Sequence, residues 1–294
     1  MDLKQLSYFV AVIQEGTISG AARRLHLTQP PLSAQMRLLE EESGCLLFER
    51  GSRHVQPTAA GQMLYGRAVK MLELADIARQ ELKDYREGTG GILRLGVVSS
   101  AGAVLVRMLG DFHNLYPHIG FELTEGNTYQ LLEQLSSGLI EMAVVRTPFP
   151  ERGLCSVQLL DEPLLAVGRK DFFPKEGPVS LAELADTPLI LYRRWESILT
   201  EAFRQAGIAP QVICKNDDAR TTACWADAGF GVAILPASAS GFLRHPDSES
   251  RPLSDLPLRS GICLVHSRDS WVSAPARALL AHLTERAAAF GASM

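Results

Sequence analysis

Two groups of side chains in this 294-residue chain have the types and spacing to do recognition chemistry. The first is Gln29, Pro30, Pro31, Ser33 and Arg37, followed by Arg50 and Arg53 on either side of Gly51-Ser52. A glutamine carboxamide pairs with an adenine edge, a proline ring packs on a thymine methyl, and a serine hydroxyl serves bases or phosphates. Arg37, one helical turn beyond Ser33, reaches phosphate or guanine, and arginines placed like Arg50 and Arg53 enter a narrow minor groove or clamp phosphate. Taken singly, Gln29 and Ser33 only solvate and cap a helix, and the arginines are ordinary surface charges. Position relative to a reading helix is what raises them.

The second group sits where apolar runs end. Ser99 and Ser100 close one run, Asn127 and Thr128 the next, Arg146 and Thr147 a third, Tyr192-Arg193-Arg194-Trp195 a fourth and Asn216-Asp217-Asp218 a fifth. Hydroxyls and arginines converging on one crevice make an anion site, most simply for a carboxylate gripped by Arg146 and covered by hydroxyls and amides. Arg194 strengthens that reading, Trp195 is placed to cover an apolar part of the ligand, and the aspartates leave room for a ligand that also carries an amine. Each residue has a local alternative: Ser100 and Thr128 as helix caps, Arg146 as partner of a carboxylate at a subdomain boundary.

The elements that must hold the first group are legible. Leu3, Leu6, Phe9, Val10 and Ile13 form one apolar stripe on a first helix that ends at Glu15-Gly16. Thr17 or Ser19 caps a short second helix, and His26-Leu27-Thr28 reads as a tight turn, which together make a helix-turn-helix. The third helix, from about 29 to 42, takes Thr28 as N-cap and tolerates Pro30 and Pro31 in its first turn, where amides lack intrahelical partners. Leu32, Met36 and Leu39 face the core, which turns Gln29, Ser33 and Arg37 outward. Residues 44–55 then read as a wing, two short extended pieces around a basic turn, with Glu40-Glu41-Glu42 kept away from DNA. From 58 to 87 a long helix carries Leu64, Ala68, Met71, Ala75, Ala78, Leu82 and Tyr85 at alternating spacings of four and three, a heptad seam for a second helix or for the protein's own core.

Gly88-Thr89-Gly90-Gly91 is the clearest linker. Beyond it, strands are expected at 92–98, 119–125, 141–146, 188–192, 211–215, 231–235 and 262–267. Helices are expected at 100–115, 128–138, 197–206, 218–228 and 274–290. Such alternation implies α/β sheets with mostly parallel strands, whose carboxyl ends bind ligands. The extended stretch 157–168 interrupts the alternation and reads as a crossover between two subdomains.

The string ISGAARRLHLTQPPLSAQMRLLEEESGCLLFER, followed by PTAAG, closely resembles the N-terminal signature of LysR-type transcriptional regulators. The resemblance extends over about sixty residues, and the rest of the chain has the family's length and alternating pattern. It implies an N-terminal all-α winged helix-turn-helix at 1–58, a dimerising linker helix at 59–88 and an α/β effector-binding domain at 89–294. That domain would resemble a periplasmic binding protein, with subdomain I at about 92–161 and 268–294 and subdomain II at about 162–267. It further implies homodimers or homotetramers on promoter DNA with dyad sites, a small organic acid or amino acid as effector, RNA polymerase as a neighbour, and activation as the favoured output. Repression is left open.

Composition is consistent with this. Hydrophobic residues at 46% and charged residues at 21% exclude a largely disordered chain. The formal net charge of -4 does not announce a nucleic-acid binder, since a large sensor can hide a small basic module. Asp2, Lys4 and Glu15 interrupt the N-terminus, so no secretory leader or membrane span is expected and the protein reads as cytoplasmic. Absence of a P-loop, G-x-S-x-G elbow, strand-borne GxGxxG or metal-ligand cluster argues against an enzyme, and no cofactor or metal is expected. A solute-binding protein fits residues 92–294 alone but not the attached module. The five scattered cysteines form no C-x-x-C pair. Cys214 and Cys224, in a predicted strand and an amphipathic helix, are expected to be buried, with a redox sensor as the alternative.

Overall fold

The computed structural model describes residues 1–49, 54–87, 90–173 and 175–290, without side chains at Glu81, residues 84–87 and residues 287–290. The chain divides into two compact units, Met1–Gly88 and Thr89–Met294.

The first unit is helical. Helix α1 (Leu3–Glu15) begins at a capping box in which Asp2 accepts from the Gln5 amide while Gln5 reaches back to the Asp2 amide. Gly16 ends it in the left-handed region at φ 64°, which suits a residue with no Cβ. Helix α2 (Ile18–Arg24) is capped by Thr17 rather than Ser19. The turn runs through His26, at φ 55°, into helix α3 (Gln29–Ser43). Leu6, Phe9, Val12, Ala21, Ala22, Leu32, Met36, Leu39 and Leu47 form one buried core, with Ala68 of the next helix completing it. Phe48 and Pro57 pair as an isolated antiparallel bridge at the base of the wing, and the Glu49 amide donates to the Gln56 carbonyl at 2.9 Å.

Helix α4 (Ala59–Glu87) spans about 43 Å at 1.5 Å per residue. Its first turns pack on the helix-turn-helix core through Leu64, Tyr65, Ala68 and Leu72, so part of the expected seam serves the protein's own core. Of the other seam positions, Met71 and Ala78 are exposed, and Leu82 is 71% exposed.

The second unit is α/β. Strand β1 (Ile92–Val97) pairs in parallel with β2 (Gly120–Glu125) and β3 (Met142–Arg146), with helices α5 (Gly102–Leu115) and α6 (Thr128–Ser136) between them. A second parallel set comprises β5 (Leu189–Tyr192), β6 (Val212–Asn216) and β7 (Val232–Pro236), interleaved with α7 (Glu196–Gln205) and α8 (Ala219–Asp227). The expectation of mostly parallel strands holds within each set and fails between them. Strand β4 (Leu154–Arg169) and strand β9 (Arg259–Ser267) run antiparallel to every strand they pair with, β3 and β7 included. They carry the chain from one set to the other and back, so no βαβ crossover forces them parallel. A short strand β8 (Ser248–Pro252), polar in sequence and not expected, pairs with β4.

Each set has its own core. Leu93, Leu95, Met108, Phe112, Val144 and Leu264 belong to the first, which helix α9 (Ala274–Phe290) closes through Ala276, Leu279 and Leu283. Leu164, Ile190, Trp195, Leu199, Phe203 and Ile234 belong to the second. Ile262 to Val265 pack in the first core, so the return crossing comes earlier along the chain than position 267.

Candidate nucleic-acid interface and ligand cleft

In the first unit, burial of Leu32, Met36 and Leu39 fixes which face of α3 is free. Gln29, Pro30, Pro31 and Arg37 are exposed and Ser33 is half-buried, so the five residues lie on the outward side of the helix and toward its N-terminal end. Thr28 has the extended backbone of an N-cap, at φ -85° and ψ 155°, yet its side chain makes no capping bond. The reason is in the sequence: the amides a cap would accept from belong to the second and third helical residues, Pro30 and Pro31, which have none. Gln29 is not free to swing, because its Oε1 accepts from Ser19 Oγ at 3.1 Å.

Glu40 is turned inward rather than toward solvent. Its Oε1 accepts from the amides of Leu47 at 2.7 Å and Phe48 at 3.1 Å, which ties the first piece of the wing to the reading helix. Arg50 and Arg53 lie outside the described residues.

In the second unit a cleft of about 330 Å³ opens where the carboxyl ends of both parallel sets meet. Val98 and Ser99 after β1, and Glu125, Gly126, Asn127 and Gln130 between β2 and the first turn of α6, line one side. Tyr192 at the end of β5 and Asp217-Asp218 after β6 line the other. This is the placement that open α/β sheets give to ligands. Of the residues expected at the crevice, Ser99, Asn127, Tyr192, Asp217 and Asp218 are there. Glu125 and Gln130 were not singled out, although they sit at a strand end and a helix start, the same signal that found the others.

Arg146 needs correction. It is fully buried, and its guanidinium is held by Glu162 at 2.5 Å, Ser238 Oγ at 2.7 Å, Ser100 Oγ at 2.7 Å and Ser260 Oγ at 3.3 Å. Burial lowers its pKa, and the Glu162 carboxylate partly offsets that. Glu162 in turn accepts from the Ser238 amide at 2.7 Å, so the cluster joins the two strand sets. A guanidinium engaged in this way cannot grip a ligand carboxylate. Ser100, 2% exposed, belongs to that cluster rather than to the cleft.

Thr128 and Arg194 are likewise turned to each other. Arg194 donates to Thr128 Oγ1 at 3.0 Å, to the Pro148 carbonyl at 3.0 Å and to the Arg146 carbonyl, latching the second strand set to the first. Trp195 is 2% exposed inside the second core and covers no ligand. Neither position revealed this in sequence, because the partners come from elsewhere in the chain.

The electrostatics of the cleft are divided. The turn Ser99–Ala101, which runs directly into α5, has no side-chain cap, whereas α6 and α8 are capped by Asn127 and Asp218. An uncapped helix start favours an anionic group. Three carboxylates share the cleft, Glu125 on the same side and Asp217 and Asp218 on the other. Glu125 pairs with Arg220 at 3.0 Å and Asp217 with Arg193 at 3.2 Å. Asp218 is pulled upward by burial but held below the ordinary range by hydrogen bonds from Ser99 and Thr221.

Cys224 is exposed and Cys214 partly so, against the expected burial, because α8 turns Ala219, Thr222, Ala223 and Ala226 inward and leaves Cys224 on its outer face. Among the described residues no group of three or more His, Cys, Asp or Glu is placed to hold a metal, and no helix is long and apolar enough to cross a membrane.

Comparison with known proteins gives the same two-part division. The family described as "Bacterial regulatory helix-turn-helix protein, lysR family" matches residues 3–62, and "LysR substrate binding domain" matches residues 86–288. The chain is 32% identical over 296 residues to the HTH-type transcriptional regulator YnfL of Escherichia coli (strain K12), covering 96% of this chain and 98% of that one. It is 28% identical over 288 residues to the HTH-type transcriptional regulator BsdA of Bacillus subtilis (strain 168), covering 95% and 99%. Among solved structures it resembles CbnR, a LysR family transcriptional regulator, with 26% identity, a TM-score of 0.80 and coverage of 98% and 99%. A further CbnR structure, full-length and complexed with its target DNA, matches with the same identity and TM-score.

Proposed function

This chain belongs to the LysR family of bacterial DNA-binding transcriptional regulators, not to any enzyme family, and from that premise we propose how it reads DNA and what it senses. It binds dyad sites near a promoter as a homodimer or homotetramer in the cytoplasm, acting as an activator beside RNA polymerase. Gln29, Pro30, Pro31, Ser33 and Arg37 meet the major groove, and Arg50 and Arg53 meet the backbone or minor groove. Support comes from the outward face of α3 and from CbnR, which has been crystallised on its target DNA. The exposed apolar positions of α4, Leu82 above all, are the surface for a second copy.

The effector occupies the cleft and carries a carboxylate. The observation that carries this is the uncapped turn Ser99–Ala101 leading into α5, which offers an anion what Arg146 cannot. Ser99 also touches Asp218, so the anionic and cationic halves of an α-amino acid would each find a complement within one hydrogen bond of the other. Ligand binding then shifts the two strand sets about β4 and β9, provided the ligand prefers one arrangement.

The test is thermal stability of the full-length protein against paired α-amino acids and their hydroxy- or keto-acid counterparts, repeated with Ser99→Val. A native-state ligand raises apparent stability by RT ln(1 + [L]/Kd). Stabilisation of wild type by an amino acid and not its counterpart, lost in Ser99→Val, supports an amino-acid effector. Stabilisation by both members keeps the carboxylate and removes the amine. No stabilisation by any acid overturns the carboxylate site, and stabilisation that survives Ser99→Val removes the Ser99 hydroxyl from it.

A further inference from the structure

Two hydroxyls stand at the start of α2, and the structure divides their work. Thr17 caps the helix, its Oγ1 accepting from the Gly20 amide at 3.0 Å. The Ser19 hydroxyl is not needed there. It donates across the turn, ten residues along the chain, to Gln29 Oε1 at 3.1 Å. Both side chains are exposed, on the side of the unit where α3 presents its free N-terminal face.

A free glutamine rotates about its side-chain torsions and offers either end of the carboxamide. With its oxygen bound to Ser19, Gln29 is held with the amide nitrogen directed away from that hydroxyl, and one oxygen lone pair remains. An adenine edge presents an acceptor at N7 and a donor at N6, so it matches an N–H and a lone pair held in one plane. A guanine edge presents two acceptors, and the fixed carboxamide oxygen would face one of them. Pro30 and Pro31, directly after Gln29, stiffen the backbone that carries it.

We propose that Ser19 is a positioning residue for base reading: its hydroxyl holds the Gln29 carboxamide in the orientation that pairs with adenine, and so sets the base preference at one position of each half-site. This rests on the proposal that Gln29 contacts a base edge.

The experiment is selection of duplexes from a fully randomised DNA pool by the full-length protein, with sequencing of the bound fraction, for wild type, Ser19→Ala, Ser19→Thr and Gln29→Ala. Gln29→Ala is expected to abolish an adenine preference at one position per half-site. Ser19→Ala weakens the preference at that same position by about threefold to tenfold, the worth of one ordinary hydrogen bond. Ser19→Thr, which keeps the hydroxyl, restores it, and the other positions stay as in wild type.

An unchanged preference at that position in Ser19→Ala, with Gln29→Ala still abolishing it, overturns the positioning role alone. So does a Ser19→Ala protein that binds every sequence more weakly without changing any preference. A wild-type preference there for a base other than adenine overturns the orientation. If Gln29→Ala alters no position, the base-contact reading of Gln29 falls and the inference with it.

Discussion

Arg146→Ala separates the buried cluster from the ligand site most sharply. In sequence Arg146 is the natural grip for a carboxylate; in the structure it neutralises Glu162, whose side chain is 4% exposed. Removing the guanidinium leaves that carboxylate buried with only the amide and hydroxyl of Ser238, at 2.7 and 2.8 Å, and leaves the Ser100 and Ser260 hydroxyls without their shared donor. Breaking one partner out of a buried pair costs about 3–5 kcal/mol. For a domain of 150–250 residues each kcal/mol lowers Tm by about 2–4 °C, so the loss is about 6–20 °C. All three tryptophans, Trp195, Trp225 and Trp271, lie in the second unit, so tryptophan emission of the full-length protein during heating follows that unit without fusion or truncation. A double variant, Arg146→Met with Glu162→Leu, removes both charges and is expected to recover most of the loss, since an apolar replacement of a buried pair is often neutral or better. An Arg146→Ala protein that melts within about 3 °C of wild type yet no longer responds to a stabilising acid would refute the reasoning and return Arg146 to the ligand, because about 1 kcal/mol is far below the cost of an orphaned buried carboxylate.

Leu82→Asp, at a position 71% exposed in the single chain, is expected to weaken self-association at least tenfold by sedimentation equilibrium while leaving helix content unchanged, since a buried leucine is worth about 1.5–3 kcal/mol. Gly61→Ala places a Cβ 2.1 Å from the Leu47 carbonyl, so the start of α4 and the base of the wing must move apart; the expected cost is about 1–3 kcal/mol in urea unfolding, with weaker binding to any duplex. Asp218 is held below its ordinary range, so its contribution to stability is present above an unfolded value of about 3.9 and is lost as pH falls through the depressed folded value. Asp218→Asn, which still caps α8, is therefore expected to melt below wild type at pH 6 and to converge with it as acid protonates the aspartate. Thiol titration of the native protein should label the exposed Cys45 and Cys224 first, while Cys263, its thiol pushed to about 11 by burial with help from Glu151 and Asp161, reacts only on unfolding; early labelling of Cys263 would contradict the packing of β9.

What the sequence determined by itself was local. Apolar spacing fixed the face of α3 and so which side chains look outward, Thr28-Gln29-Pro30-Pro31 marked its start, and the alternation beyond Gly88 placed the strand ends that border the cleft. These follow from residues within a turn or two of each other, which is the range over which helix and strand periodicity acts. The antiparallel return of β4 and β9 was less legible, because pairing register depends on strands far apart in the chain.

Only the tertiary structure decided what the polar residues at those strand ends touch. Arg146 meets Glu162 sixteen residues on, Ser238 ninety-two residues on and Ser260 one hundred and fourteen residues on. Thr128 meets Arg194 from the opposite strand set, sixty-six residues away. A buried charge must find an opposite charge or lose several kcal/mol, and which one it finds depends on how two strand sets close over it. The same side chain at the same strand end therefore serves a ligand or a hinge according to what the rest of the chain brings to it.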